Sequence, residues 1–144
     1  MIDAAVLEQA LEDRVADLTR QLEAKVRENL SGGLLEQQSG RLLASIVSSV
    51  SDDTGNLEGT VESQGVPYAA IQEYGGKTAA HEIIAVRRKA LVFAGTGGQR
   101  FAKLVHHPGS VIPAHGYLGD ALADRQDAIA ADLKASVLAA LTQD

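Results

Sequence analysis

Seven apolar residues at intervals of three or four, Leu7, Leu11, Val15, Leu18, Leu22, Val26 and Leu30, constrain the fold of this chain more than any other feature. At about 3.6 residues per turn that spacing puts all of them on one face of a helix. Glu8, Glu12, Asp13, Asp17, Arg20, Glu23, Lys25 and Arg27 fall between them and stay in water. The acids crowd the early turns, where they suit the positive end of the helix dipole. Gly32-Gly33 supplies the stop, because glycine takes the left-handed conformation of a helix C-cap. The stripe predicts a helix over residues 1–31 that buries its leucines either in a coiled-coil seam or on a sheet.

The period changes after a second short helix or turn at residues 34–44, with Ser39 as its N-cap. Ile46-Val47-Ser48-Ser49-Val50-Ser51 and Leu57-Glu58-Gly59-Thr60-Val61-Glu62 flank Asp52-Asp53-Thr54-Gly55-Asn56, the pattern of a β-hairpin. Pro67 opens and Gly75-Gly76 closes a short helix over Tyr68–Tyr74. Residues 82–86, 90–94 and 101–105 read as strands, and the glycine-rich run 95–98 as a turn. Two prolines and several turn formers make 106–117 a loop. Leu118, Leu122, Ile129, Leu133, Val137 and Leu141 then mark a C-terminal helix over 118–142. The expected class is α+β in a single domain, 1–144. It comprises the long helix, an antiparallel sheet of about four strands over 45–105 with the short helix inserted, and the last helix packed on the sheet.

With 144 residues the chain can bury one sizeable core without a metal or a disulfide, and it has no cysteine to ligate zinc or form one. No apolar run matches a membrane span and no signal-peptide pattern opens the chain, so neither is expected. The net charge of −6 argues against a surface coated throughout by nucleic acid. That charge is polarised. Residues 1–64 carry 12 acids against 5 bases, whereas 77–107 carry six bases (Lys77, Arg87, Arg88, Lys89, Arg100, Lys103) against the single acid Glu82. Such polarity suits docking between unlike surfaces, and equally a solvated basic hairpin.

The search for catalytic or ligand motifs returns nothing that holds. His81-Glu82-Ile83-Ile84-Ala85 begins like a zinc-protease motif, but the second histidine is replaced by Ala85. His106 and His107 are neighbours in an extended stretch and so point opposite ways, and with His115 they read as ligand-free. Gly95–Arg100 lacks the lysine and Ser/Thr of a phosphate loop, and there is no nucleophile elbow. No enzyme activity, cofactor or metal is expected. The five aromatics all lie between 68 and 117. Phe93 and Phe101 read as core, and the three tyrosines as half-buried interface rings.

Three segments in order resemble one known family. Ser39-Gly40-Arg41-Leu42-Leu43-Ala44-Ser45-Ile46 is similar to the lead-in to the first hairpin of tailed-phage tail-completion and head–tail joining proteins. Tyr68-Ala69-Ala70-Ile71-Gln72-Glu73-Tyr74-Gly75-Gly76 resembles that family's central Tyr-Ala…Glu/Gln-aromatic-Gly signature. Ile112-Pro113-Ala114-His115-Gly116-Tyr117-Leu118 resembles its Ile-Pro-Ala-Arg-Pro-Phe-Leu stretch before the final helix. The departures are His115 for arginine, Gly116 for proline and Tyr117 for phenylalanine.

The resemblance implies a structural protein of the virion neck, made in the host cytoplasm, that completes the tail or joins it to the head by assembling. Tail terminator and minor tail protein are close variants of that role. Partners would be other neck and tail proteins and copies of itself in a ring, with a monomer before assembly. The residues expected at the interface are Tyr68, Glu73, Tyr74, Arg87, Arg88, Lys89, Arg100, Lys103, His107, Pro113, His115 and Tyr117. Acidic faces along a passage would keep genome DNA from sticking, and the long helix is a further docking element. The rival reading is a nucleic-acid-binding accessory protein using the basic 87–103 region.

Overall fold

The leucine stripe forms one helix, α1 (Ala4–Leu30), in the computed structural model, which describes residues 3–31, 39–86, 90–95 and 97–142 apart from the side chains of 39 and 93–95. Asp3 caps it, its carboxylate accepting the Ala5 N–H at 3.0 Å. The first turn itself carries no acid, so the favourable charge at this end comes from the cap and from Glu8 onward. At the other end the Ser31 N–H closes on the carbonyls of Arg27 and Glu28. The glycine pair expected to stop the helix lies outside the described residues.

Helix α2 (Ser39–Ser45) runs directly into strand β1 (Ile46–Asp53), which pairs antiparallel with β2 (Asn56–Ser63) from Ile46↔Ser63 to Asp53↔Asn56. The two-residue turn has positive φ at both Thr54 (53°) and Gly55 (83°), matching the twist of a tight hairpin. The Asp52 carboxylate accepts the Gly55 N–H at 3.1 Å and helps hold Thr54 in a conformation β-branched residues avoid.

Alternation then decides which face of this ribbon meets α1. Ile46 is buried, the Ser48 hydroxyl donates to Glu23, and Gly59 lies on α1 so closely that a Cβ there would collide with the Thr19 hydroxyl. Arg27 fixes the junction from above, pairing with Glu23 at 2.8 Å and donating to the carbonyls of Leu43 (2.9 Å) and Ile46 (2.7 Å). Val26, Leu30, Leu42, Ile46, Tyr117 and Ala121 form the core, with Leu22, Val61 and Tyr68 against it.

After helix α3 (Ala69–Tyr74) come β3 (Gly76–Lys77), β4 (His81–Ile84), β5 (Leu91–Gly95), β6 (Gly98–Ala102), β7 (Leu104–His107) and β8 (Val111–Ile112). Their pairings are nested: Gly76↔Ile112, His81↔His107, Ile84↔Leu104, Leu91↔Ala102, Gly95↔Gly98. The described strands between 76 and 112 therefore pair out and back as three successive two-stranded units, together the β-arm. Its register steps midway, where Ala85 still donates to the Lys103 carbonyl but Leu91 already faces Ala102. Helix α4 (Gly119–Leu141) returns along α1, held by the Arg14–Asp132 ion pair and by Arg125 donating to Gln21.

The α+β class holds, with a different arrangement from the expected single sheet under the last helix. Among the described residues the strands form four separate two-stranded antiparallel units. Each finds its hydrogen-bonding partner within its own hairpin, β1 and β2 on the body and the rest within the arm. Helix α4 packs chiefly on α1. Its half-buried face mixes Ile129, Leu133 and Val137 with Arg125, Asp132 and Ser136; Arg125 and Asp132 find partners on α1, and the Ser136 hydroxyl donates to the Asp132 carbonyl within α4. Segment 106–117, expected as loop, includes the end of β7 and all of β8, because Thr78 and Ser110 exchange backbone and hydroxyl hydrogen bonds across the arm's root. No helix among the described residues is long and apolar enough to cross a membrane.

Candidate assembly interface

The short helix α3 and the segment leading into α4 are tied to each other first. Glu73, 8% exposed, aims its carboxylate at the start of α4 and accepts the N–H groups of Leu118 (2.9 Å) and Gly119 (2.8 Å). It thereby caps a helix whose own N-cap residue, Leu118, offers no side-chain acceptor. Tyr117, 3% exposed, lies in the core and donates its hydroxyl to the Ala69 carbonyl at 3.2 Å. Burial, together with the nearby Glu73 charge, raises its phenol above the ordinary range. The His115 N–H donates to the Gln72 carbonyl at 2.8 Å. Gly75, with φ 71°, turns the chain out of this knot into the arm, and a Cβ there would lie 2.7 Å from the Ala114 nitrogen. The knot is the root from which the arm leaves the body.

Beyond the root no element among the described residues covers the arm. Ile84 and Leu104 are direct cross-strand partners and are 58% and 41% exposed. Val92 and Phe101 are partners further out, 48% and 67% exposed. On the opposite face of the β4–β7 ribbon Ile83 stands across from a half-buried Val105. A ribbon apolar on both faces has the pattern of a strand buried on both sides. Yet among the described residues no other element packs extensively on β4–β7 or β5–β6. Toward the root the faces become polar: His81 stacks on His107 at 5.0 Å between ring centroids, and His106 lies 3.2 Å from the Glu82 carboxylate on the other side.

The β1–β2 ribbon has the opposite character. Its outward face carries Val47, Ser49, Ser51, Glu58, Thr60 and Glu62, and with Asp52 and Asp53 at the tip it holds four exposed acids and no base between 46 and 63.

The expected interface residues divide accordingly. Tyr74 (80% exposed), Arg100, Lys103 and Pro113 are at the surface. His107 and His115 are half-buried, and Tyr68 packs beside the core. Glu73 and Tyr117 are corrected: both are interior groups that join α3 to α4, because each has its polar atoms satisfied within the chain. Arg87, Arg88 and Lys89 lie outside the described residues, as does the side chain of Phe93. Phe101, read as core from its apolar neighbours, is instead exposed, since alternation along β6 turns it with Val92 to the bare face.

Sequence reasoning passed over Ile83, Ile84, Val92 and Leu104, whose alternation reads as core until the absence of a covering element is seen. It also passed over the acidic ribbon, whose signal is the lack of any lysine or arginine from 46 to 63. Among the described residues no group of three or more histidine, aspartate and glutamate side chains converges as metal ligands would. Comparison of the chain with protein-family models, curated proteins and solved structures gives no match.

Proposed function

We propose that this chain is a structural subunit of the tailed-phage neck, completing the tail or joining it to the head by assembly, and that it has no catalytic role. The observation that carries the assembly reading is the β-arm, which presents paired apolar side chains on both faces with no cover from the described residues of its own chain. Contiguous exposed apolar surface of this kind marks an interaction site, since leaving it in water forfeits about 25 cal/mol per Å² of favourable burial. The placement in a phage neck rests on the resemblance of the three segments, and the tail-terminator and minor-tail roles fit the same surface. In the virion the subunit would contact copies of itself and neighbouring neck and tail proteins, with acidic faces toward any passing DNA.

One observation favours the nucleic-acid reading. Phe101 is an exposed ring between the exposed Arg100 and close to the exposed Lys103, the pairing that single-strand binders use for stacking. Light scattering across protein concentration, at low and moderate salt, with and without single- and double-stranded DNA, separates the two. Discrete assembly indifferent to DNA is expected. A monomer that binds DNA with affinity falling steeply with salt would replace the neck reading by the rival.

A further inference from the structure

The arm's uncovered residues raise the question of what covers them, and charge narrows the answer. Arm-against-arm pairing of two copies would bring together two elements whose described residues each carry Lys77, Arg100 and Lys103 against the single acid Glu82, so like charges oppose it. The β1–β2 ribbon offers the complement: four exposed acids, no base, and an outward face on which no element among the described residues packs extensively. Beside it, between Ala16, Thr19 and Arg20 of α1 and Ser48, Ser49 and Val50 of β1, lies an open cleft of about 240 Å³. That is room for one large side chain. Phe101 lies six residues beyond His107, roughly 20 Å of chain if extended, with a bend at Lys103 between the two strands.

We propose, building on the assembly reading above, that the arm of one copy docks head to tail on the acidic β1–β2 ribbon of a second copy, with Phe101 entering the cleft beside β1. Lys103 and Arg100 then lie against Glu58, Glu62 and the Asp52-Asp53 tip. The contact joins two different surfaces, so it leaves a free arm at one end and a free ribbon at the other. It propagates to a closed ring or a filament instead of stopping at a two-fold dimer.

The chain has no cysteine, so single thiols can be placed without background. The test mixes a Phe101→Cys protein with an affinity-tagged Ser49→Cys protein and adds a short bismaleimide, identifying products by mass. Both positions are exposed, so neither change disturbs the core. The predicted result is a dominant Phe101→Cys to Ser49→Cys product. Its yield falls on the order of tenfold when Asp52 and Glu62 of the ribbon copy are changed to lysine, and recovers when Arg100 and Lys103 of the arm copy become glutamate. Products joining two Phe101→Cys copies, or no product while light scattering shows an oligomer, would overturn this docking and leave the assembly reading standing. A protein that stays monomeric and forms no cross-link overturns both the docking and self-assembly.

Discussion

Glu73 shows how far a residue's role can lie from its sequence neighbourhood. Its carboxylate serves backbone groups 45 and 46 positions away, and no local pattern announces that; only folding brings α3 against α4. Replacing Glu73 by alanine is expected to cost about 0.5–2 kcal/mol, as loss of a helix cap does, seen as a lower denaturation midpoint with an unchanged urea slope. Tyr117→Phe, losing only the hydroxyl donated to Ala69, should cost about 0.5–1.5 kcal/mol. Two carboxylates make the acid limb of stability. Glu23, held down by the Ser48 hydroxyl and then Arg27, and Asp132, held down by Arg14, both titrate below their ordinary range in the folded chain. Their contribution is therefore complete above the unfolded carboxylate values, near pH 4, and is lost as pH falls through the lowered folded values. Thermal melts should show the midpoint dropping in that window. In a Glu23→Gln, Asp132→Asn variant the neutral-pH midpoint should be lower and the acid drop smaller; an unchanged acid drop would remove these pairs as its cause.

Elements were more legible than residues where periodicity is long. Seven apolar positions define α1, and the Asp52–Asn56 turn with its flanking alternation defines the first hairpin almost to its ends. The partners of α4 were not legible, because Leu122 and Leu141, which complete its apolar stripe on paper, are half exposed and the helix instead buries Ala121 and a partly charged face on α1. Gly59 was legible only as a strand glycine, while its function is close approach of the ribbon to α1. Gly59→Ala should destabilise by about 1–3 kcal/mol, and Thr19→Ala in the same chain should recover part of the loss by removing the hydroxyl in the way. Equal losses in the single and double variants would contradict that packing. The outer arm behaves oppositely: Ile84, Val92, Leu104 and Phe101 stay exposed. Ile84→Asp and Phe101→Asp should leave the unfolding free energy within about 0.5 kcal/mol of the parent's.

At the scale of the whole molecule two hairpins of opposite charge stand on one helical body, one apolar and basic, the other polar and acidic. The charge polarity was plain in the sequence. What the alternation of Ile83, Val92 and Phe101 withheld was whether those residues face the chain's own core or a partner, since a strand buried by a neighbour has the same pattern as one buried at home. If the arm is the organ of assembly, sedimentation velocity of the parent and of the Ile84→Asp, Phe101→Asp double variant over a range of concentrations reads it most directly. The expected result is a parent that assembles and a variant that remains a folded monomer with the parent's melting midpoint. Assembly of equal extent in both proteins would contradict it.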